Sequence, residues 1–294
     1  MKNIEEAIIK MSTKKAIKFC MSSNLIHKEV NCIGCSFPMK LEKALNYVDK
    51  VAWRCYMNSC SLYQKRVSIR KNTFFDGKKL KIKRILQILI LWGENIKQSL
   101  IMQKSRSSYS VLRKIINEII DLIRKYCILN PVRLGGYGNL VEIDETMLNF
   151  KVKSHRGRSP ANRTDALCII EYNKTITKCF ATCIRDKSHE TILPIINKVV
   201  IPGSKIYTDE HKTYQILTNL GFSHGTVCHK YEFINKKTSA NTQAVESFNN
   251  YLKYYIKFKK GLEVQRREDF LIEFMWKFNN RGFITEKLFD LIKV

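Results

Sequence analysis

Three carboxylates, two at the ends of predicted strands and one on a predicted helix, are the side chains in this sequence most able to do chemistry. The segment VEIDET (141–146) alternates apolar and acidic residues, the period of a half-buried strand, and it carries Asp144. The short strand IYTDE delivers Asp209, and the predicted helix NTQAVESFNNYLKYYIKF carries Glu246. Carboxylate oxygens suit Mg²⁺ or Mn²⁺, and two such ions support in-line displacement at a phosphodiester. We therefore expect these three acids to converge on two divalent ions that cut and join DNA.

Two neighbouring acids compete with Asp144 for this role. Glu142 lies on the same face of the strand as Asp144 but deeper. We expect its side chain to lie behind the site or at the strand edge. Glu145 is the next residue along the chain. Other histidine, cysteine and tryptophan side chains are expected to be structural: His229, Cys168, Cys179, Cys183, Cys228 and Trp276.

The charge balance indicates a polyanionic partner. Lys and Arg number 52 against 26 Asp and Glu, a formal net charge of +26. The positive side chains repel one another unless a bound nucleic acid neutralises them. A solvated, Lys-rich surface from an A/T-rich genome is the alternative. The longest apolar run (85–92) is too short for a membrane span, and the N-terminus lacks a signal-peptide core. The ten cysteines are therefore expected to be intracellular and reduced.

Four cysteines form two close pairs, Cys32 with Cys35 and Cys55 with Cys60, separated by a hairpin-length insert. Two such knuckles closing one tetrahedral Zn²⁺ site are typical of a zinc ribbon, a module whose folding energy comes largely from the metal. Unrelated core cysteines are the alternative. The basic tail that follows suits contact with phosphate: Lys65, Arg66, Arg70, Lys71, Lys78 and Lys79.

The front of the chain is otherwise predicted to be helical. Residues 1–28 predict a helical, basic arm, residues 29–76 the zinc ribbon, and residues 77–130 a helical region. A helix, a short turn and a second helix, capped by Ser107 or Ser108, favour a DNA-binding helix-turn-helix. A connecting helical hairpin is the alternative. Breaks at Asn130-Pro131 and in the glycine-rich segment 135–138 then mark a domain boundary.

Residues 138–294 predict an α/β domain, a mixed sheet flanked by helices. The elements follow the order of ribonuclease-H-like nucleases. A strand carries the first acid, a hairpin turns at Asn173-Lys174, a later strand carries the second acid, and a helix carries the third. A basic loop (151–163) offers Arg156 and Arg158 as further DNA contacts. The remaining predicted elements are helices at 188–199, 212–220 and 268–279 and a short strand at 227–229.

Five motifs, in the same order, resemble those of Merlin-type and related insertion-sequence transposases. They are WRC followed by VSIRKNTFF, the strand VEIDET, PGSKIYTDEHKTY, HKYEFINKKTSANTQAVESFNNYLK and the closing helix FLIEFMWKFNNR. The resemblance extends from about Cys32 to about Arg281. It implies a DDE transposase with a ribonuclease-H-like catalytic core.

The resemblance implies a role for each matching residue. Asp144 and Asp209 are the first two acids, Glu246 is the third, and the four ribbon cysteines bind zinc. Lys253, seven residues after Glu246 and two helical turns away, would hold a phosphate of the DNA. Asn241 is the alternative third ligand, because some relatives use asparagine there. Two departures concern DNA contact: DALCIIEYNK lacks the family's glycine, and HRGR replaces its commoner Lys-Tyr pairing.

Three functions follow from these observations. The first is a DNA transposase that cleaves element ends and transfers the exposed 3′-hydroxyls into target DNA, acting as a homodimer or larger assembly because two ends must be handled together. The second is a domesticated or inactive copy that binds DNA through residues 29–127, and the third is a structure-specific nuclease. The wording of the motifs favours a eukaryotic host and hence the nucleus; in a bacterium the expected place is the nucleoid or cytoplasm.

Overall fold

The computed structural model describes Ile8 and residues 10–148, 164–227 and 241–294. The chain divides into two compact units, one of residues 1–122 with 282–294 and one of residues 123–281. Among the described residues, no helix combines the length and the apolar character needed to cross a bilayer.

The first unit holds the cysteine module and most of the predicted helical region. Helix α1 covers Thr13–Ser22, and three short antiparallel strands follow in the order β1-β2-β3. These strands bury few apolar side chains, so the module depends on other links for its stability. The strands are β1 Lys40–Lys43, β2 Val51–Arg54 and β3 Arg66–Ser68.

Three helices then occupy the predicted helical region: α2 Ile82–Gly93, α3 Gln98–Ser105 and α4 Tyr109–Leu129. Helix α2 is buried over most of its surface, as its almost continuous apolar sequence requires. Arg106, in the left-handed conformation, ends α3, and the Ser108 hydroxyl accepts a hydrogen bond from the Val111 N–H at the start of α4. The two predicted helices correspond to α2 and α4, and a further helix, α3, lies between them. The DNA-binding role of this region stays a prediction.

The last helix, α8 (Ile284–Leu291), belongs to the first unit. Its Phe289 ring packs edge-on against Phe19 of α1, and the Val294 N–H donates to the Asn24 carbonyl. The predicted domain 138–294 thus includes a helix, α8, whose apolar face packs against helices of the first unit.

The second unit is built on a five-stranded mixed sheet of order β6-β5-β4-β7-β8. Strands β4, β5 and β6 are antiparallel, and β7 and β8 continue parallel to β4. Lys174 turns the β5–β6 hairpin with a φ of 62°, as predicted for Asn173-Lys174. The order confirms the predicted ribonuclease-H-like sheet. The strands are β4 Leu140–Met147, β5 Asp165–Asn173, β6 Thr175–Ile184, β7 Lys205–Asp209 and β8 Ser223–Val227.

Helices cover both faces of this sheet, and the sheet separates two apolar cores. Helix α5 (His189–Val199), capped by the Ser188 hydroxyl, packs over one core, while α6 (Gln243–Phe258) and α7 (Arg267–Asn279) pack over the other. Strand β5, which lies between β6 and β4, is buried along most of its length, and this explains its unbroken apolar run. Two predictions differ in detail. Residues 212–220 contain a 3₁₀ helix, Lys212–Leu217, and the last strand, predicted at 227–229, begins earlier and covers Ser223–Val227.

Candidate active site

The register of two parallel strands brings Asp144 and Asp209 together. Glu142 on β4 lies beside Tyr207 on β7, and two residues further along each strand come Asp144 and Asp209. The carboxylates of Asp144, Asp209 and Glu145 offer oxygens that all lie within 4.8 Å of one another. Glu145 thus joins Asp144 in the acidic cluster, where the sequence suggested that the two compete for one role.

Asp144 is held in a setting that resists its negative charge. Burial raises its pKa to about 6, and the charges of Glu145 and Asp209 add to this effect. Its Oδ1 accepts the Glu145 N–H at 2.8 Å, and its Oδ2 accepts the Asn249 side-chain amide at 2.7 Å. Within the described residues, the buried Oδ1 of Asn249 has no hydrogen-bond partner. Clustered hard oxygens beside a carboxylate that is costly to ionise fit a divalent cation.

Glu145 is fixed from the other side of the cluster. Its Oε2 accepts from Lys187 at 3.0 Å and its Oε1 accepts from the buried Tyr214 hydroxyl. Burial raises the pKa of Tyr214 well above its usual value, and the Glu145 carboxylate strengthens that effect. Tyr214 therefore stays protonated and acts as a hydrogen-bond donor to Glu145.

Glu142 lies behind the cluster, as predicted, and is only 1% exposed. Its Oε2 accepts the Val245 N–H at 2.9 Å, and the Ala244 N–H also stabilises its charge. Burial nevertheless raises its pKa to about 7. The carboxylate of Glu142 thus occupies the N-terminus of α6, where Thr242 provides no side-chain cap.

Helix α6 presents the remaining predicted catalytic residues. Glu246 lies in its first turn, half-buried and close enough to Glu142 for its charge to raise the pKa of that carboxyl. It is not part of the cluster of three carboxylates. Lys253 is exposed, and its charge lowers the raised pKa of Cys168, the residue paired with Asp144 on β5. Asn241, the alternative ligand, precedes the helix.

The sequence did not reveal the contacts made by Asn249, Lys187 and Tyr214. Asn249 carried a usable signal, since it follows Glu246 by three residues and so shares its side of the helix. Tyr214 is the last residue of the motif PGSKIYTDEHKTY, but nothing in that motif indicates its contact with Glu145. Lys187 lies in a stretch with no recognisable pattern. The cysteines predicted to be core residues agree with the structure at Cys168 and Cys179, which are fully buried.

One predicted DNA contact is corrected by the structure. Arg70 is buried, pairs with Asp49 and donates to the Lys78 carbonyl at 2.6 Å, so its guanidinium is not available to phosphate. Arg66 is partly exposed and pairs with Glu42, while Lys71 is exposed. Two predicted DNA contacts of the basic loop, Arg156 and Arg158, lie outside the described part of the chain. So do two residues predicted to be structural, His229 and Cys228.

The four ribbon cysteines meet in one cluster, with all sulfurs within 4.8 Å of one another. The sulfur of Cys32 lies 3.7 Å from that of Cys60, and the sulfur of Cys35 lies 3.8 Å from that of Cys55. A tetrahedron with Zn–S bonds of about 2.3 Å has edges of about 3.8 Å. The Gly34 N–H, which points at Cys32, is the main cause that lowers the pKa of that thiol to about 7. The cluster fits a structural metal ion.

Part of the chain is similar in sequence to known proteins. A profile of the ISXO2-like transposase domain matches residues 133–279, half of the chain. An uncharacterized transposase-like protein from Haemophilus influenzae is 30% identical over 103 residues, which cover 35% of this chain and 82% of that protein.

Similarity to solved structures is lower. The catalytic core domain of BIV integrase is 18% identical, with a TM-score of 0.31 over 47% of this chain and 82% of that chain. The Mos1 strand transfer complex is 8% identical, with a TM-score of 0.27 over 69% of this chain and 74% of that chain. The profile match and the bacterial relative, found on a chain with this strand order, show that the protein belongs to the ISXO2-like transposase domain family.

Proposed function

We propose that the protein is a DNA transposase that cleaves the ends of an element and joins them to target DNA. The observation that carries the proposal is the convergence of Asp144 and Asp209 on adjacent parallel strands, with Glu145 beside them. Helix α6 carries Glu246 and Lys253 next to the same strands. Phosphodiester displacement needs acids that can hold metal ions and a basic side chain that can hold a phosphate. Two strands and one helix supply the acids here, and Lys253 is the basic side chain.

Asp144, Asp209 and Glu246 would hold the divalent ions, with Mg²⁺ or Mn²⁺ the best match to carboxylate oxygens. When bound, such ions activate the attacking hydroxyl and stabilise the leaving oxygen. Lys253, exposed at the side of the acids, is suited to hold a phosphate of the bound strand. Water attacks first and frees a 3′-hydroxyl at the element end; this hydroxyl then attacks a phosphodiester of the target.

The first unit would bind the double-stranded ends. We propose one Zn²⁺ on Cys32, Cys35, Cys55 and Cys60, since the sulfur spacing fits a tetrahedral ion. The turn between α3 and α4 suits a helix-turn-helix, and the net charge of +26 suits a polyanion. Because two ends must be handled together, a homodimer or larger assembly on DNA is part of the proposal. For a eukaryotic host we propose a nuclear location, and for a bacterial host the nucleoid or cytoplasm.

The position of Glu246 outside the carboxylate cluster favours the second candidate, a copy that binds DNA without cutting it. A cleavage assay separates the two. The wild type, Asp209→Ala and the control Glu190→Ala, which changes an exposed acid on α5, are incubated with the element's own ends, with and without Mg²⁺ or Mn²⁺. Metal-dependent nicking lost only in Asp209→Ala supports the transposase. End binding by the wild type without nicking in either metal supports the binding protein.

A further inference from the structure

Two contacts fasten helix α6 to strand β4. At the first, the Glu142 carboxylate accepts the N–H groups of Ala244 and Val245 in the first turn of the helix. At the second, one turn further along, the Asn249 amide donates to Asp144 at 2.7 Å. Both side chains are almost fully buried, at 1% for Glu142 and 4% for Asn249.

The spacing of these contacts matches the two backbones. Glu142 and Asp144 are two residues apart on a strand and share a face, so they are separated by about 6.6 Å. Val245 and Asn249 are four residues apart on a helix and share a side, so they are separated by about 6 Å along its axis. The two contacts therefore fix both the position of α6 along β4 and its rotation about its own axis.

Glu142 also acts as the N-terminal cap of helix α6. The first N–H groups of a helix have no partner within the helix, and the local cap residue of α6, Thr242, makes no side-chain bond to them. Asp, Asn, Ser or Thr at the cap position would normally supply an oxygen, and a nearby negative charge favours the positive end of the helix. Here a buried acid from a distant strand supplies both.

We propose that Glu142 and Asn249 are positioning residues: together they set α6 so that Glu246 and Lys253 face Asp144 and Asp209. The catalytic part of this inference rests on the proposed function. Glu246 lies between the two fastened positions, and Lys253 follows Asn249 by one further turn on the same side. A helix free to rotate would move both groups together, and displacements near 1 Å are enough to lower a rate about 100-fold.

Two substitutions at Glu142 test the cap. Glu142→Leu removes the acceptor at similar size, whereas Glu142→Gln keeps one oxygen. Amide hydrogen exchange in the first turn of α6, measured on the full chain without DNA, should speed up about tenfold or more in Glu142→Leu and stay within about threefold of wild type in Glu142→Gln. Equal exchange in Glu142→Leu and wild type would overturn the cap. Exchange that is equally fast in both variants would overturn it as well.

Asn249→Ala tests the second contact, with Asn250→Ala as its matched control, because Asn250 is the next residue and is exposed. Mn²⁺ affinity of the DNA-free protein should fall about tenfold or more in Asn249→Ala, since partners of metal ligands contribute 10–100-fold. The kcat for end cleavage should fall by at least as much, with the KM for DNA unchanged. The Asn250→Ala variant should stay within about twofold of wild type in both.

Unchanged Mn²⁺ affinity in Asn249→Ala would overturn the second contact, and so would equal effects of the two asparagine substitutions. The exchange and Mn²⁺ measurements do not need cleavage. If the wild type never cuts DNA but both measurements behave as expected, the proposed function fails while the positioning of α6 stands.

Discussion

A group of three charges, two of them buried, ties the end of α6 to α7, and it offers a quantitative test of how the α6 helix is held. Glu273 accepts from Lys277 at 3.0 Å and from Lys259 at 2.8 Å. Glu273 and Lys277 are almost fully buried, while Lys259, at the end of α6, is about a third exposed. Burial raises the pKa of Glu273, but the two lysines outweigh it and hold the pKa below its usual value. Burial likewise lowers the pKa of Lys277, and Glu273 offsets part of that effect.

Glu273→Gln should leave Lys277 buried without its counter-charge. Breaking such a pair costs about 3–5 kcal/mol of unfolding free energy. Lys277 can limit this cost by losing its proton. Deprotonation of a lysine costs about 1.36 kcal/mol for each pH unit below its unperturbed pKa of about 10.4. The penalty is therefore at most about 4.6 kcal/mol at pH 7 and about 1.9 kcal/mol at pH 9. The sign follows: the unfolded variant binds one more proton than the folded one, so its stability rises with pH.

Equilibrium denaturation at pH 7 and pH 9 measures this difference. The three tryptophans are Trp53, Trp92 and Trp276, so a background with the first two changed to Phe leaves Trp276, on α7, as the reporter. The double variant Glu273→Met with Lys277→Met should be near wild type, because well-packed apolar residues can replace a buried pair. Asp290→Asn, which breaks a half-exposed pair with Lys293, should cost less than about 1 kcal/mol. A Glu273→Gln penalty that is below 1 kcal/mol, or that does not shrink at pH 9, would refute the reasoning.

Three further predictions concern the metal sites and the basic tail. Cys55→Ser should release zinc and lose the ordered ribbon, because the three short strands bury little apolar surface; metal analysis and circular dichroism check this, and one tightly held zinc per chain would contradict it. Without Mg²⁺ or Mn²⁺, stability should fall as pH rises from about 4 to 6, by up to about 3 kcal/mol, because the pKa of Asp144 is raised to about 6 in the folded state. Thermal unfolding measures the difference in unfolding free energy between the wild type and Asp144→Asn at each pH. A difference that does not change with pH would contradict the prediction. Arg70→Ala should cost about 3–5 kcal/mol, because Arg70 is buried against Asp49, whereas Lys71→Ala should leave stability unchanged and reduce the salt slope of DNA binding by about 1. The reverse pattern would mean that Arg70, not Lys71, touches DNA.

The sequence by itself determined the sheet and the positions of its acids. Alternating residues in VEIDET and the apolar run of β5 predict strands because local burial imposes those periods. Once β4 and β7 are parallel neighbours, Asp144 and Asp209 must meet, because both lie at the same end of the sheet. The spacing of the cysteines similarly predicts their cluster, since two tight knuckles leave few other arrangements.

Only the tertiary structure decided which neighbours those residues have. Arg70 and Lys71 look alike in sequence, yet one is buried against Asp49 and the other faces solvent. Glu142 and Val245 are far apart in the chain, so no local period could show that a strand acid caps α6. The same holds for α8, whose Phe289 packs against Phe19 of the N-terminal helix α1. Periodicity reports which face of an element is buried, whereas the partner on that face depends on how elements distant in sequence pack together.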